Sequence, residues 1–161
     1  MADKPGDLTE TLIAVAKGDL PLSMVAGLSA KELAQVLSQA LAQMQIGRDD
    51  KALPILKVLV ALDEKNPIFH EYLGLAYERL GRHDEALEAY SRNIEALGSL
   101  TSAEDRLCEG YLLRARLNAQ RGELSDAKHD VEAAKRHSKG VDAEMAQEIA
   151  VLEQVLGEAR P

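Results

Sequence analysis

Apolar and polar side chains alternate along most of this chain with a period of three to four residues, the pattern of amphipathic α-helices. Glycine, proline and short polar runs interrupt the pattern and separate one predicted helix from the next. The predicted helices cover residues 8–17, 30–46, 49–62, 67–80, 83–97, 103–121, 124–137 and 142–157. A capping box should open the second helix, because Glu32 follows Ser29 by three residues. The sequence therefore predicts an all-α protein.

Small residues recur at fixed intervals inside this helical pattern. Gly81 is preceded by Gly74 seven residues earlier and followed by Ala86 five residues later. The same spacing recurs in two further copies: Ala40, Gly47 and Ala52, and Ala115, Gly122 and Ala127. The first two copies lie 34 residues apart, which is the period of the tetratricopeptide repeat, and the third follows after 41 residues. An irregular helical bundle with coincidental spacing is the alternative.

The repeats predict a tetratricopeptide-repeat solenoid that forms a single domain over residues 1–161. An N-terminal helical segment (8–28) is followed by three helix–turn–helix repeats (33–66, 67–100 and 108–141) and a C-terminal capping helix (142–158). Small residues let paired helices cross closely, and each glycine is expected to end a helix in a left-handed C-cap. Asn93 stands where the repeat usually has alanine, which predicts a polar group near a helix crossing. The seven extra residues before the third copy predict either a longer helix around Cys108 or a mobile loop.

Composition and charge narrow the possible partners. Hydrophobic residues make up 46% of the chain and aromatic residues 3%, which suits helices packed on helices. The 27 acidic and 19 basic residues give a formal charge of −8, which argues against nucleic acid or an anionic membrane surface as the main partner. Cys108 is the single cysteine, so no internal disulfide is expected and a reducing cytosol fits. A polar start and the lack of a long apolar run likewise predict a cytoplasmic protein that neither crosses nor binds a membrane.

No group of residues in the sequence indicates a catalytic reaction. The four histidines lack metal-ligand spacing, and the sequence has no C-x-x-C, H-E-x-x-H or glycine-rich phosphate loop. His70 falls at a large-residue position of the second repeat, so it is expected to be a packed side chain. Cys108 is expected to behave as a small apolar residue, and the acidic pair Asp49–Asp50 as solvated charge or as charge that compensates the helix dipole. The sequence therefore predicts no catalytic residue, no metal site and no cofactor.

The first helices of stacked repeats line a concave groove, and the register predicts which residues face it. Leu37, Leu41 and Met44 fall at i, i+4 and i+7 on one stripe, while Val36 and Ala40 form the close-packing face of the same helix. The stripe could instead belong to the core or be covered by the N-terminal segment. The predicted peptide-binding residues are Leu37, Leu41, Met44, Leu62, Ile68, Leu75, Leu112 and Arg116. Apolar positions with Glu and Arg farther along suit an extended peptide.

Two stretches carry a resemblance to a known family. AKGDLPLSMVAGLSAKEL (16–33) holds a turn, a short apolar helix and the entry to the first repeat, and ALD (61–63) ends that repeat. The chain resembles the translocator chaperones of type III secretion, the class II chaperones of the SycD/LcrH family. The resemblance implies a bacterial cytosolic chaperone without ATPase activity, which keeps two membrane-inserting translocator subunits soluble by binding a short segment of each. It also places the family's aromatic groove residues at Leu37, Leu41 and Met44, which are aliphatic here.

Two questions stay open at this level. A generic tetratricopeptide scaffold, joining parts of a larger assembly through its outer face, is the alternative to a chaperone. The resemblance also implies homodimers formed through the N-terminal region, where an apolar run extends from Pro21 to Leu28. The alternative is that this run packs on the first repeat of its own chain.

Overall fold

A computed structural model describes residues 8–101 and 103–158, apart from the side chain of Thr9. The helices are α1 (Leu8–Lys17), α2 (Ala30–Gln45), α3 (Asp49–Leu62), α4 (Pro67–Arg79), α5 (His83–Gly98), α6 (Glu104–Arg121), α7 (Leu124–Arg136) and α8 (Ala143–Glu158), with a 3₁₀ turn at Leu22–Met24. Every predicted helix is present, with its ends within one residue of the predicted ends. The described residues contain no strand, and the predicted all-α architecture is confirmed.

Three glycines end the first helix of each repeat as the spacing predicts. Gly47, Gly81 and Gly122 have φ angles of 71°, 73° and 80°, in the left-handed region that side chains rarely adopt. After the first of them, the Arg48 amide donates to the Gln43 carbonyl at 2.9 Å, which closes the C-cap. The predicted capping box is also present, because Ser29 accepts from the Glu32 amide while Glu32 accepts from the Ser29 amide.

The helices group into two compact units, Met1–Arg82 and His83–Pro161. In the first unit α3 packs against α1, α2 and α4 and therefore lies at the centre of the core. Leu56 and Leu59 of α3 are fully buried, as is Leu12 of α1. Val36 and Ala40 of α2 are 1% and 0% exposed, which confirms them as the close-packing face of that helix.

In the second unit α6 packs against α5, α7 and α8. One face of α8 closes the core with Ile149, Leu152 and Leu156, which are buried beside Cys108 and Leu112 of α6. Burial of this single face is the arrangement expected of a C-terminal capping helix.

The two departures from the repeat pattern both lie in the second unit. Asn93 is 1% exposed in α5, and a Cβ placed on Gly110 of α6 would lie 2.7 Å from its Oδ1. The polar group predicted near a helix crossing is therefore present, and glycine provides the space for it. The extra residues before the third copy mainly lengthen a helix, since α6 has 18 residues where α4 has 13.

Candidate functional site

The candidate site in the first unit begins on α2. Val36, Ala40 and Met44 follow each other at four-residue intervals and form one buried row. Leu37 and Leu41 lie beside this row and are half-buried. An aliphatic edge of α2 is thus accessible next to its core-packing face.

The structure places Met44 differently from the accessible stripe that the register predicts. Met44 is 4% exposed. It lies at the end of both rows, and it packs with the buried row of Val36 and Ala40. Its carbonyl accepts a hydrogen bond from Arg79 Nη1 at 3.2 Å, so its backbone is also held by α4. The accessible part of the stripe is therefore limited to the two leucines.

Three further predicted residues lie on α3 and α4. Leu62 and Leu75 are half-buried, and Ile68 is 36% exposed at the start of α4. Since α3 packs against both α2 and α4, these residues belong to helices joined by one core. We call the five predicted binding residues of this unit that are accessible the first-unit strip: Leu37, Leu41, Leu62, Ile68 and Leu75.

An ion pair beneath the turn between α2 and α3 was not predicted from the sequence. Asp49 is 8% exposed rather than solvated, and its Oδ1 lies 3.5 Å from Arg79 Nη1. Arg79 thereby connects the end of α4 to the turn that Gly47 closes. The helix dipole by itself explains an acidic residue in the first turn of a helix. Nothing in the sequence indicates that Asp49 pairs with a residue thirty positions away.

In the second unit a cavity of about 290 Å³ lies between α6 and α8. Two predicted residues, Leu112 and Arg116, line it together. Leu112 is 2% exposed and belongs to the core floor of the cavity, while Arg116 Nη1 lies 3.7 Å from Glu148 Oε1 at its side. We call this cavity the α6–α8 pocket, with the lining residues Glu109, Leu112, Leu113, Arg116, Asp142, Glu144, Met145 and Glu148.

A second cavity of about 240 Å³ in this unit contains polar residues that sequence reasoning missed. Arg114 Nε and Nη2 donate to Asp130 at 2.9 and 2.7 Å, and Arg114 Nη1 donates to Ser91 Oγ at 2.9 Å. Asn118 adds a longer bond of 3.3 Å to Asp130, which is 2% exposed. The hydrogen bond to Asp130 raises the pKa of Arg114, more than burial lowers it. This network joins α5, α6 and α7, and its donors are already used within the fold, so it is a structural rather than a binding feature.

The side chains with possible chemistry are packed. His70 is 5% exposed, and its Nε2 lies 2.7 Å from the Glu64 carbonyl oxygen. Cys108 is fully buried, and burial together with the carboxylates of Asp105, Glu148 and Glu109 raises the pKa of its thiol. A raised thiol pKa opposes the thiolate that a nucleophile or metal ligand needs.

Metal sites and membrane-spanning helices are both absent from the described part of the chain. Residues 8–101 and 103–158 contain no group of three or more His, Cys, Asp or Glu side chains that could hold a metal ion. Over the same residues, no helix has both the length and the hydropathy that crossing a membrane requires.

The sequence matches one family model, described as "Bacterial transcriptional activator domain", over residues 9–103. The matched range is more than half of the 161 residues and takes in α1 to α5. No curated protein sequence matches the chain.

Solved structures similar to this chain include chaperones captured with peptides. The type III secretion chaperone SycD of Yersinia enterocolitica, in complex with a peptide of the translocator YopD, has a TM-score of 0.72 and 21% identity over 81% of this chain and 96% of its own. PcrH, a Pseudomonas aeruginosa protein, in complex with the chaperone-binding region of PopD, has a TM-score of 0.70 and 25% identity over 82% of this chain and 96% of its own. The first tetratricopeptide domain of Spaghetti (RPAP3), bound to the HSP90 peptide SRMEEVD, has a TM-score of 0.65 and 17% identity over 81% of this chain and 98% of its own.

These likenesses confirm the tetratricopeptide-type fold. They also confirm the resemblance to translocator chaperones, which are among the structural neighbours. The peptides belong to those complexes.

Proposed function

We propose that this chain, which belongs to the bacterial transcriptional activator domain family, is a non-enzymatic chaperone of type III secretion. It holds an extended segment of hydrophobic translocator proteins and keeps them soluble in the bacterial cytoplasm before export. The observation that carries the proposal is its likeness to SycD and PcrH, which were solved with translocator segments and match over 96% of their own length. The formal charge of −8 supports this role, since a charged exterior keeps a chaperone–client complex in solution.

The first-unit strip is the proposed client-binding surface. Leu37 and Leu41 are half-buried and aliphatic, so each offers apolar area that a client side chain can cover. Burying one aliphatic side chain contributes about 1.5–3 kcal/mol. Two or three such contacts, reduced by the entropy lost when the peptide is ordered, lead us to expect a dissociation constant on the order of micromolar.

A charge introduced at Leu41 tests the proposal. The probe is a fluorescein-labelled peptide of the chaperone-binding region of PopD, the segment present in one of the neighbouring structures. We expect Leu41→Glu to weaken binding at least about tenfold, because the carboxylate must be desolvated against the apolar client side chain. Fluorescence anisotropy measures the affinity, and circular dichroism checks that the variant keeps its helices.

Ala42→Glu is the matched control, since it places the same charge on the next residue of α2, which is exposed. Alanine and glutamate are both good helix formers, so α2 should stay intact, and this variant should bind the peptide as the unaltered chain does. If the unaltered chain does not bind the peptide, or if both variants bind like it, the proposed surface is wrong. Met44 is unsuitable for this test, because a charge at a buried position would unfold the helix pair.

The family description favours a second candidate function, a protein-interaction domain within a bacterial regulatory assembly. Such a domain would join other parts of the assembly through its outer helix faces, and its net negative charge argues against direct DNA contact. The two functions differ in which variants matter. For a scaffold, charge reversals at exposed positions such as Glu88 or Glu132 would disrupt assembly, whereas Leu41→Glu would have no effect.

A further inference from the structure

The lining of the α6–α8 pocket carries an excess of negative charge. Four carboxylates line it, from Glu109, Asp142, Glu144 and Glu148, against the single guanidinium of Arg116. Arg116 lies 3.7 Å from Glu148, and Asp142 Oδ1 accepts the Met145 amide at the start of α8. Among the described residues Glu109 and Glu144 form no ion pair, and both are exposed at the rim.

The floor of the same pocket is apolar. Leu112 is buried, and Leu113 and Met145 are half-buried, so hydrocarbon lies directly below the carboxylates. A volume of about 290 Å³ is at the small end for a ligand pocket, which suits one long side chain better than a separate small molecule. Lysine and arginine combine an apolar stem with a cationic end, and they bury the stem while the charge stays at the surface.

We propose that the α6–α8 pocket receives a lysine or arginine side chain of the client segment, whose stem packs on Leu113 and Met145 and whose cation faces Glu109 and Glu144. The inference rests on the proposed function and specifies the chemistry of the segment that is held. The client segment is then expected to contain a basic residue that this pocket can receive.

The raised pKa of the Cys108 thiol is consistent with a negative electrostatic potential beside the pocket. Cys108 is one residue before Glu109 on α6, and after burial the causes that raise its pKa are the carboxylates of Asp105, Glu148 and Glu109. Carboxylates that disfavour a thiolate favour a cation by the same electrostatics. A carboxylate from the client would be repelled for the same reason.

A position scan of the peptide tests the inference. The PopD chaperone-binding peptide is made in three series that place lysine, methionine or glutamate at each position in turn, and affinities are measured by anisotropy at low and physiological salt. We expect at least one position where the lysine peptide binds about fivefold more tightly than the glutamate peptide, with methionine between them. Physiological salt should reduce this preference, because rim charges are screened within about 8–10 Å.

Two double variants identify where the preference arises. Glu109→Gln with Glu144→Gln should remove most of the lysine preference, because both rim carboxylates are lost. Glu88→Gln with Glu132→Gln removes the same charge from exposed positions on α5 and α7 outside the pocket, and should leave the preference intact.

The outcomes separate the two proposals. If no peptide of any series binds, or if Leu41→Glu does not weaken binding, the proposed function fails and this inference falls with it. If peptides bind through Leu41 but lysine and glutamate are equivalent at every position, only this inference is overturned. It is also overturned if the Glu88 and Glu132 variant loses the preference to the same extent, since that result indicates attraction by net charge alone.

Discussion

At the scale of single residues, the contact between Gly110 and Asn93 shows how a polar side chain fits a helix crossing. Asn93 is 1% exposed in α5, and a Cβ on Gly110 would lie 2.7 Å from its Oδ1 and 3.2 Å from Cγ1 of Ile94. Glycine in the middle of α6 costs about 1 kcal/mol relative to alanine. An alanine Cβ at this position would have to displace the buried Asn93 side chain, which glycine leaves in place.

We expect Gly110→Ala to lower the free energy of unfolding by up to about 2 kcal/mol. Overpacking costs about 1–3 kcal/mol, and the gain in helix propensity of about 1 kcal/mol offsets part of it. Adding Asn93→Ala removes the atom that clashes, so the double variant should be more stable than Gly110→Ala alone. Urea denaturation followed by circular dichroism measures both, and a stabilised Gly110→Ala variant would show that propensity alone decides at this position.

Met44 marks the limit of sequence-based prediction at this scale. Three-residue and four-residue steps connect it both to Leu37 and Leu41 and to Val36 and Ala40, so the sequence places it on either row. Only packing decides, and it buries Met44 to 4% exposure. The same ambiguity applies to Leu112, which belongs to the core although the repeat register assigns it to the groove.

At the scale of helices, the ends were predictable because local chemistry determines them. Gly47, Gly81 and Gly122 close their helices at positive φ, Ser29 and Glu32 form the capping box, and Pro67 occupies a helix start where its missing N–H has no cost. Contacts between distant helices leave no such mark on the sequence. Arg114 and Asp130 are 16 residues apart, and either could equally be an exposed charge on an amphipathic helix.

The ion pair of Arg114 and Asp130 provides a prediction for the packing of α6 on α7. Asp130 is 2% exposed and accepts two hydrogen bonds from the guanidinium. We expect Asp130→Ala to lower the free energy of unfolding by about 2–4 kcal/mol, since it leaves a half-buried cation without its carboxylate. Denaturation in urea measures the loss.

Asp126→Asn is the control for that experiment, because it removes a charge from an exposed residue of α7 that lines the same cavity. It should change stability by less than about 0.5 kcal/mol. Replacing both partners, Arg114→Met with Asp130→Leu, should recover part of the loss, because an apolar pair needs no desolvated charge. Equal losses from the Asp126 and Asp130 variants would mean that the pair contributes nothing specific.

At the scale of the whole molecule, the apolar run from Pro21 to Leu28 has a divided role. Val25 is 2% exposed and is part of the core of its own chain. Leu22 and Met24 are 41% and 54% exposed, so two large apolar side chains beside Val25 are accessible to solvent. Intrachain packing therefore explains Val25, and Leu22 and Met24 are the two side chains of this run that a second copy of the chain would cover if the predicted homodimer forms.

Point variants test this dimer better than truncation does. A chain beginning near Leu28 would lose Leu12, which is fully buried, and Val25, so its core would be opened as well as its N-terminal surface. Leu22→Ser with Met24→Ser changes only exposed side chains and should leave unfolding nearly unaltered. In sedimentation we expect the unaltered chain to be a dimer and this variant a monomer at the same concentration, because the association loses its apolar contact area. Leu100→Ser, which removes another exposed leucine (52%) from the second unit, should stay dimeric. An unaltered chain that sediments as a monomer, or a double variant that keeps the dimer mass, would contradict association through this segment.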